Sequence, residues 1–548
     1  MAFLAIIAMT ILIESSFGQS PTPTPSTPWL DPFADGKSGN PGARIFLCKK
    51  ALDAVHEYAA ESVQRSLQAL TLSDFSLFVG TGTLIIKPPR VSEASMGKYD
   101  YEMNSPNRIR SRFYNGRLVA AGVWQFKPTL GSAIGSTYQA SVTNVELNAT
   151  NELGRTADAK PAVRTTHCKA YLGQHRIDIK NVAAEFSVIE NCEMDVCLKI
   201  REFFEKAFCD VFTSFVKEMI NGELQQYQTR VPVHCEDHKV DYSLQWNTPT
   251  VSGDTNCTKT ELEGKYIWRG SSSVPFHPPE MPVGTHNKML TFQLSDYTFN
   301  SLLHQAHVFG RQHSAHESAS PSTLQLLSLN CGVQEQTTPS PVKNVRKQAK
   351  VQSKGINTER FPCLGAFFDK LTSFGPFSSN DTGDIVFKSG QKAMAVYIES
   401  DKSGYFDGSG GILEVHGPLV KGGNRQVLAR VDVRLLRGEF KPIFSKLNIT
   451  GIVKIKSIKL VQPPPQTRMF TDEWMDNLGQ FVAPILAEML NKFLDRYAQF
   501  PLPLPEKYSC TLPGVTILPR SVQVNCDIQR VSRNCGYTCS YNGVAWCC

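Results

Sequence analysis

The chain has 548 residues, of which 41% are hydrophobic and 20% are charged, and its formal net charge is +7. This length allows about two to four domains, and the composition is that of a folded protein rather than of a disordered or collagenous one. The mild positive charge does not by itself indicate a nucleic-acid partner.

The chain begins with a short apolar stretch that is typical of a secretory signal peptide. The run over residues 3–13 is too short to cross a bilayer, and Ser16 and Gly18 supply the small residues that precede a cleavage site. We predict a signal peptide over 1–18, a Pro-rich flexible linker over 19–40, and a secreted, extracellular protein. The 15 cysteines agree with an oxidising compartment, although most of their pairings cannot be deduced from the sequence.

Four N-x-S/T sequons fit the same secretory route. Such sequons also arise by chance, so some of them can stay unmodified. The predicted glycosylation sites are Asn148, Asn256, Asn380 and Asn448.

Two similar successions of strands and helices are predicted along the chain. An amphipathic helix over 51–70 precedes alternating, strand-like runs between about 75 and 190, and a Phe-rich helix then extends to about residue 226. In the second half, strands near 262–268 and 287–294 precede a short helix over 295–307. Further strands between about 384 and 460 precede a long helix that begins after Thr471, the predicted N-cap. The polar residues between 311 and 362, which include a basic run, are predicted to form an exposed loop.

The Phe-rich helix has a broader apolar surface than one core contact requires. On a helical wheel its apolar side chains cover an arc of roughly 200°, about twice the usual core-facing stripe. Burying each phenylalanine is worth about 1.5–3 kcal/mol, so this surface is not expected to stay in water. One side can pack on a sheet, and the other needs either a second protein layer or an apolar ligand. The last long helix poses the same question.

Six segments, in order along the chain, carry a family resemblance: NPGARIFLCKKALD at 40–53, ELQQYQTRVPV at 223–233, VDYSL at 240–244, HNKMLTFQLSDYTFNSLL at 286–303, LNITGIVKIKSIKLV at 447–461 and FPLPLP at 500–505. They resemble the bactericidal/permeability-increasing protein family, which includes lipopolysaccharide-binding protein and the plasma phospholipid and cholesteryl-ester transfer proteins. The resemblance implies an α+β fold in which two similar barrels of highly twisted antiparallel sheet, each with long amphipathic helices, are joined by a central sheet into a boomerang. It also implies a disulfide between Cys168 and Cys209.

The same resemblance implies an N-terminal lipid-binding barrel over 41–240, central-sheet strands with a C-terminal lipid-binding barrel over 241–530, and a Cys-rich tail over 531–548. We therefore predict a secreted, non-enzymatic protein that holds a phospholipid or other amphipathic lipid in apolar pockets and touches a membrane or lipoprotein surface transiently. No cofactor, metal or nucleic acid is expected. The predicted acyl-chain contacts are Phe203, Phe204, Phe208, Phe212, Phe215, Phe481, Ile485, Met489 and Phe493.

The net charge of residues 41–240 does not decide whether this part of the chain binds a lipid headgroup. Residues 41–240 contain 24 lysines and arginines against 22 aspartates and glutamates, which disfavours a strongly basic lipopolysaccharide site. Arg108, Arg110 and Arg112 nevertheless alternate and would share one face of a strand, so they are the predicted headgroup contacts. The alternative is that they form a solvated barrel face.

Two further functions compete with lipid transfer. One is innate defence through binding of bacterial lipopolysaccharide, and the other is an extracellular protein-interaction module that uses the Cys-rich tail. In that tail we expect a small disulfide-stapled cap, and Cys192 and Cys197 are predicted to close a local loop. Catalytic signatures are missing, since the sequence has neither a G-x-S-x-G elbow nor an H-E-x-x-H helix. Four histidines between 304 and 316 lack the carboxylates or cysteines of a convincing metal site.

Overall fold

The computed structural model describes most of the chain from residue 36 onwards. The described residues are 36–68, 75–79, 82–87, 90–156, 160–179, 195–225, 229–235, 238–244, 250–252, 256–268, 274–309, 312–315, 320–331, 363–368, 377–378, 380–400, 403–419, 425–445, 447–463, 470–498, 500–502, 508–530, 538–541 and 544–547. The predicted signal peptide, most of the linker and the Cys192 loop lie outside them.

The first part of the chain alternates long strands with helices, in the order predicted. Its elements are β1 (Ala43–Cys48), α1 (Lys49–Gln68), β2 (Phe75–Val79), β3 (Gly82–Ile86), β4 (Arg90–Ser95), β5 (Lys98–Asn104), β6 (Arg108–Pro128), β7 (Ile134–Arg155), β8 (Pro161–Tyr171), β9 (His175–Ile179), α2 (Asp195–Ser214), a π-helical segment (Phe215–Ile220), α3 (Asn221–Leu224), β10 (Arg230–Cys235), β11 (His238–Ser243), β12 (Thr250–Ser252), β13 (Cys257–Leu262) and β14 (Lys265–Trp268).

The second part repeats the plan with different lengths. Its elements are β15 (Leu290–Ser295), α4 (Asp296–Val308), β16 (Gln312–Ser314), α5 (Pro321–Leu326), a 3-10 segment (Leu364–Phe367), β17 (Asp384–Lys388), β18 (Ala395–Ile398), β19 (Gly404–Asp407), β20 (Gly411–Leu419), β21 (Arg425–Ser445), β22 (Asn448–Val461), α6 (Asp472–Tyr497), β23 (Phe500–Pro501), β24 (Tyr508–Leu518), β25 (Ser521–Arg530), β26 (Thr538–Tyr541) and β27 (Val544–Cys547).

An antiparallel sheet built around β6 and β7 forms the N-terminal barrel. Its strand order is β2-β3-β6-β7-β8, with β4 and β5 also paired to β6 and β9 paired to β7. Side chains alternate along β6, so that Ile109 and Phe113 are buried while Arg108 and Arg110 are exposed. The sheet therefore has an inner face, which packs on the helices, and an outer face, which carries the exposed residues.

Two helices pack on the inner face of this sheet. The buried side of α1 includes Leu52, Val55 and Val63. The disulfide between Cys168 and Cys209 links β8 to α2. Because β8 and α2 are joined covalently at Cys209, the middle of the Phe-rich helix is held against the edge of the sheet.

A six-stranded central sheet, in the order β12-β13-β1-β15-β25-β24, combines strands from both ends of the chain. Ile45 lies opposite Phe292, which lies opposite Val524, and all three side chains are buried. Two disulfides close neighbouring strands of this sheet, between Cys48 and Cys257 and between Cys510 and Cys526.

The C-terminal barrel repeats the arrangement of sheet and long helix. Its strand order is β16-β17-β20-β21-β19-β18, and β22 pairs with β21 and β23. The helix α6 begins as predicted, because the Thr471 side chain accepts a hydrogen bond from the Trp474 amide at 3.1 Å. Asn491 of α6 exchanges two hydrogen bonds with the Val453 backbone of β22, at 2.6 and 3.0 Å. This exchange fixes the rotation of the helix over the sheet.

A buried ion pair joins the central sheet to α4. The Arg520 guanidinium lies 2.7 Å from Asp296, whose carboxylate also accepts a hydrogen bond from the Ile398 amide at 3.2 Å. Because Ile398 belongs to β18, this contact ties the central sheet to the C-terminal barrel. The predicted α+β architecture of two antiparallel barrels with long helices is thus confirmed.

Candidate functional site

An apolar cavity of about 50 Å³ lies inside the N-terminal barrel, between α1, the inner face of the sheet and the π-helical end of the Phe-rich helix. Its lining residues are Val55, His56, Ala59, Ile109, Ser111, Phe113, Asn151, Leu153, Val163, Phe212, Phe215, Val216 and Ile220. An apolar cavity of roughly 150 Å³ is known to hold benzene, so this cavity is too small for an acyl chain unless its walls move.

The phenylalanines of the helix are enclosed by protein on two sides. Phe204, Phe208, Phe212 and Phe215 are all buried, and the side chain of Phe203 lies outside the described residues. The Phe212 ring meets that of Phe113 on the sheet, edge to face, with centroids 6.2 Å apart. On the other side, Phe215 lies 6.3 Å from the ring of Tyr58 on α1. The second layer that the wide apolar arc requires is therefore α1.

The π-helical segment interrupts the regular hydrogen bonding of this helix at the cavity. Three of its residues, Phe215, Val216 and Ile220, line the cavity, whereas Met219 is 36% exposed. Short π-helical segments inside α-helices are rare and often occur at functional sites. The part of the helix with altered hydrogen bonding is thus the part that faces the cavity, and it begins six residues after Cys209.

One wall of the cavity is polar. The His56 Nδ1 donates to the Leu52 carbonyl at 2.8 Å, and its Nε2 accepts from the Ser111 hydroxyl at 2.8 Å. Its imidazole also stacks on the Tyr101 ring, with centroids 4.4 Å apart. Burial lowers the pKa of His56 below its ordinary value of 6.5, so the neutral imidazole is favoured.

The predicted contacts of the second helix also lie in a protein core. Phe481, Ile485, Met489 and Phe493 of α6 are each at most 5% exposed. The 3-10 segment covers the first of these, since the rings of Phe367 and Phe481 are 5.2 Å apart. A disulfide between Cys331 and Cys363 precedes this segment directly.

The predicted headgroup arginines lie on the outer face of the N-terminal sheet and differ in their partners. Arg112 forms two hydrogen bonds to Glu146, both at 3.0 Å, and these interactions lower the pKa of the Glu146 carboxyl. Arg108 and Arg110 line a solvent-open cleft of about 420 Å³ together with His167 and Lys169. Arg112 is not among the residues that line this cleft.

The structure does not bring the two predicted parts of the lipid site together. Ile109 and Phe113 line the cavity on the inner face, whereas the neighbouring Arg108 and Arg110 line the cleft on the outer face. Successive side chains of a strand point to opposite faces, so the sheet itself separates the phenylalanine set from the arginine set. The alternation of the arginines predicts their common face, but the sequence does not show which face covers the helices.

The other predicted residues occupy separate places. Of the sequons, Asn256 and Asn380 are exposed, Asn448 is half-buried at the start of β22, and Asn148 is half-buried and donates to Glu146 at 2.8 Å. The histidines of the 304–316 segment that the structure describes have other contacts: His307 bonds Ser389 at 2.8 Å, and His304 and His313 lie against aromatic rings. Within the described ranges, no helix is long and apolar enough to cross a bilayer.

Comparisons with known proteins agree with this architecture. A sequence model of the C-terminal domain of the LBP / BPI / CETP family matches residues 236–333. The chain is 22% identical to rat bactericidal permeability-increasing protein over 272 residues, an alignment that covers 48% of this chain and 55% of that relative. It is 20% identical to human lipopolysaccharide-binding protein over 524 residues, which covers 91% of this chain and 94% of the human protein.

The crystal structure of lipopolysaccharide binding protein shares the fold. The two structures superpose with a TM-score of 0.51 at 14% identity, and the match covers 90% of this chain and 100% of the other. The match thus defines an α+β protein of the boomerang type. The chain is distantly related to the LBP / BPI / CETP family, and this relationship implies a lipid-binding protein without enzymatic activity.

Proposed function

We propose that this chain is a secreted carrier that holds a phospholipid-like amphipathic lipid, with acyl chains inserted between α1 and the Phe-rich helix. The observation that carries the proposal is the apolar cavity whose wall includes Phe212, Phe215 and the π-helical segment. An apolar lining is non-directional, so we expect weak discrimination of chain length and saturation.

Lipid entry requires the cavity to widen, and the packing suggests where this happens. The disulfide at Cys209 pins the middle of the Phe-rich helix to β8. The π-helical segment carries no such covalent link, and its altered hydrogen bonding makes it the natural place for the helix to move away from α1. We therefore expect an acyl chain to enter at the π-helical end, beside Tyr58 and Phe215.

A filling substitution tests this site directly. Ala59→Leu adds three carbons at a cavity-lining position, whereas Ala120→Leu makes the same change at a buried position of β6 outside the lining. Both variants cost about 1–3 kcal/mol of overpacking, so their folding is checked by thermal unfolding. After incubation with phosphatidylcholine vesicles, native mass spectrometry counts bound lipid. We expect Ala59→Leu to lose one lipid and Ala120→Leu to keep it. A wild-type chain that takes up no lipid would contradict the proposal.

A second lipid is proposed beside α6, next to Phe481, Ile485, Met489 and Phe493. The support is the repeated plan of a long helix enclosed by a twisted sheet. The expected stoichiometry of the wild-type protein is then two lipids per chain. If the wild-type protein binds one lipid per chain and Ala59→Leu binds none, the apolar face of α6 belongs to the protein core and not to a second lipid site.

Binding of a bacterial envelope lipid is a second candidate function. It is favoured by the names of the relatives, which include lipopolysaccharide-binding proteins, and by the basic cleft on the outer face. Saturable lipopolysaccharide binding that is lost when Arg108, Arg110 and Arg112 are replaced by glutamine would support it. The third function, protein recruitment by the Cys-rich tail, is tested by deleting 531–548, which should abolish partner capture while lipid uptake continues.

A further inference from the structure

The positive charges of the outer face fall into two groups that differ in their neutralisation. Arg112, Arg117 and Arg164 each form an ion pair, with Glu146 at 3.0 Å, Glu93 at 3.6 Å and Glu152 at 2.6 Å, respectively. In the described part of the chain, Arg108, Arg110 and Lys169 form no ion pair, and Lys169 instead lies over the Tyr171 ring at 4.7 Å. The charges without a carboxylate partner are the ones that line the cleft.

The strand register explains why these groups meet. Arg110 lies opposite Thr150, which lies opposite His167, while Asn148 lies opposite Lys169. Arg108 and Arg110 are two residues apart on β6, a spacing of roughly 6.6 Å, and β8 lies two strands away, roughly 9.6 Å. Long cationic side chains therefore surround a space about as wide as a phosphate group with its contacts.

Neighbouring carboxylates do not occupy this space. Glu152 lies opposite Arg108 and feels its charge, but its ion pair, at 2.6 Å, is with Arg164. Glu102 lies opposite Arg110 and lines a separate recess with Lys49 and Tyr101. Among the described residues that line the cleft itself there is no aspartate or glutamate, and the Thr150 hydroxyl and Asn148 carboxamide supply further hydrogen-bonding groups.

We propose that this cleft binds a phosphate ester through Arg108, Arg110 and Lys169, and that it acts independently of the acyl-chain cavity on the other face of the sheet. This inference rests on the envelope-lipid candidate, which uses the same cleft, and names phosphate as the group that the cleft recognises. Arginine forks match phosphate oxygens in geometry, and paired arginines such as Arg112 contribute little because Glu146 already satisfies them. The phosphate can belong to a headgroup exposed on a membrane or to a soluble ester. In this arrangement the cleft binds phosphate on the outside of the barrel, while the interior of the barrel holds lipid.

Two double variants with equal loss of charge test the proposal on the full chain, in which Asn148→Gln prevents a glycan at the wall of the cleft. R110Q/K169Q removes two cleft charges, and R112Q/R117Q removes two charges that are already paired. Binding is measured by flotation with phosphatidylcholine vesicles that contain phosphatidic acid. We expect R110Q/K169Q to weaken binding by at least about tenfold and R112Q/R117Q by less than about threefold. Diffuse attraction to an anionic surface would instead give both variants the same loss, because each cation then contributes a similar amount. Equal losses in the two variants would overturn the proposal, because diffuse surface charge would then explain the binding.

Two further measurements identify the source of the phosphate and distinguish this site from the proposed carrier function. In the first measurement, glycerol 3-phosphate competes with the vesicles for the wild-type protein, and a mixture of glycerol and sulfate is the control. If only glycerol 3-phosphate displaces the protein, soluble esters occupy the cleft. If vesicle binding depends on the cleft but resists the soluble ester, the phosphate is that of a membrane headgroup. Ala59→Leu should keep its full affinity for these vesicles, and a parallel loss of vesicle binding in this variant would overturn the independence of the two sites.

Discussion

Replacing Phe212 by alanine should separate a lipid-binding cavity from a permanently closed protein core. Phe212 is 3% exposed, it contacts Phe113 edge to face, and it borders a cavity of about 50 Å³. Truncating a buried phenylalanine to alanine costs about 3–5 kcal/mol. Because the new space joins an existing cavity, the surrounding side chains cannot collapse around it easily, so we expect about 4 kcal/mol for the delipidated protein.

Lipid should reduce this loss. An acyl chain that occupies the cavity restores the contacts that the missing ring removes, and a ligand that binds only the folded state stabilises it by mass action. We therefore expect saturating phosphatidylcholine to recover at least half of the lost stability. The assay is hydrogen exchange of the α1 and α2 amides with and without lipid, in which α6 amides provide an internal reference.

The matched control is Phe126→Ala, which truncates a buried phenylalanine of β6 that does not line the cavity. In the delipidated protein, Phe126→Ala should lose about as much stability as Phe212→Ala. Lipid should stabilise Phe126→Ala only as much as it stabilises the wild-type protein. If Phe212→Ala and Phe126→Ala respond identically to lipid, then acyl chains do not reach Phe212, and the reasoning from the cavity is wrong.

Three other predictions follow from single contacts. Replacing Cys168 and Cys209 by serine opens a disulfide with a sequence separation of 41, which should lower the unfolding free energy of the N-terminal barrel by about 2–4 kcal/mol in urea titrations. His56 has a folded-state pKa below its ordinary 6.5, so the unfolded state takes up the proton first and stability falls as pH drops through that value. His56→Gln should therefore reduce the pH dependence of unfolding between pH 7 and 5 by up to about 1.4 kcal/mol per pH unit, and an unchanged slope would refute the assignment. A glycan on Asn148 would project from the wall of the basic cleft, so trimming it to a single N-acetylglucosamine with an endoglycosidase should strengthen flotation with phosphatidic acid vesicles, whereas Asn148→Gln should not respond to the enzyme.

Several local features followed directly from the sequence. The Thr471 cap, the short helix near 295–307 and the breadth of the apolar surface on the Phe-rich helix depend on residues within one or two helical turns. Alternation along β6 likewise predicts that Arg108, Arg110 and Arg112 share a face. Family resemblance, carried by six short segments, added the two-barrel architecture that the structure confirms.

Only the tertiary structure shows which residues these helices and strands contact. Only the packing of α1 shows that protein covers the second side of the Phe-rich helix, and only the sheet shows that the arginines and the phenylalanines lie on opposite faces. The pairing of Cys48 with Cys257, 209 residues away, and the neutralisation of Arg112 by Glu146 likewise come from strand register. Helix caps and hydrophobic periodicity act over a few neighbouring residues and are legible in the sequence. Strand register is set by contacts between residues far apart in the chain, so the division of one basic run into paired and unpaired charges appears only once the chain has folded.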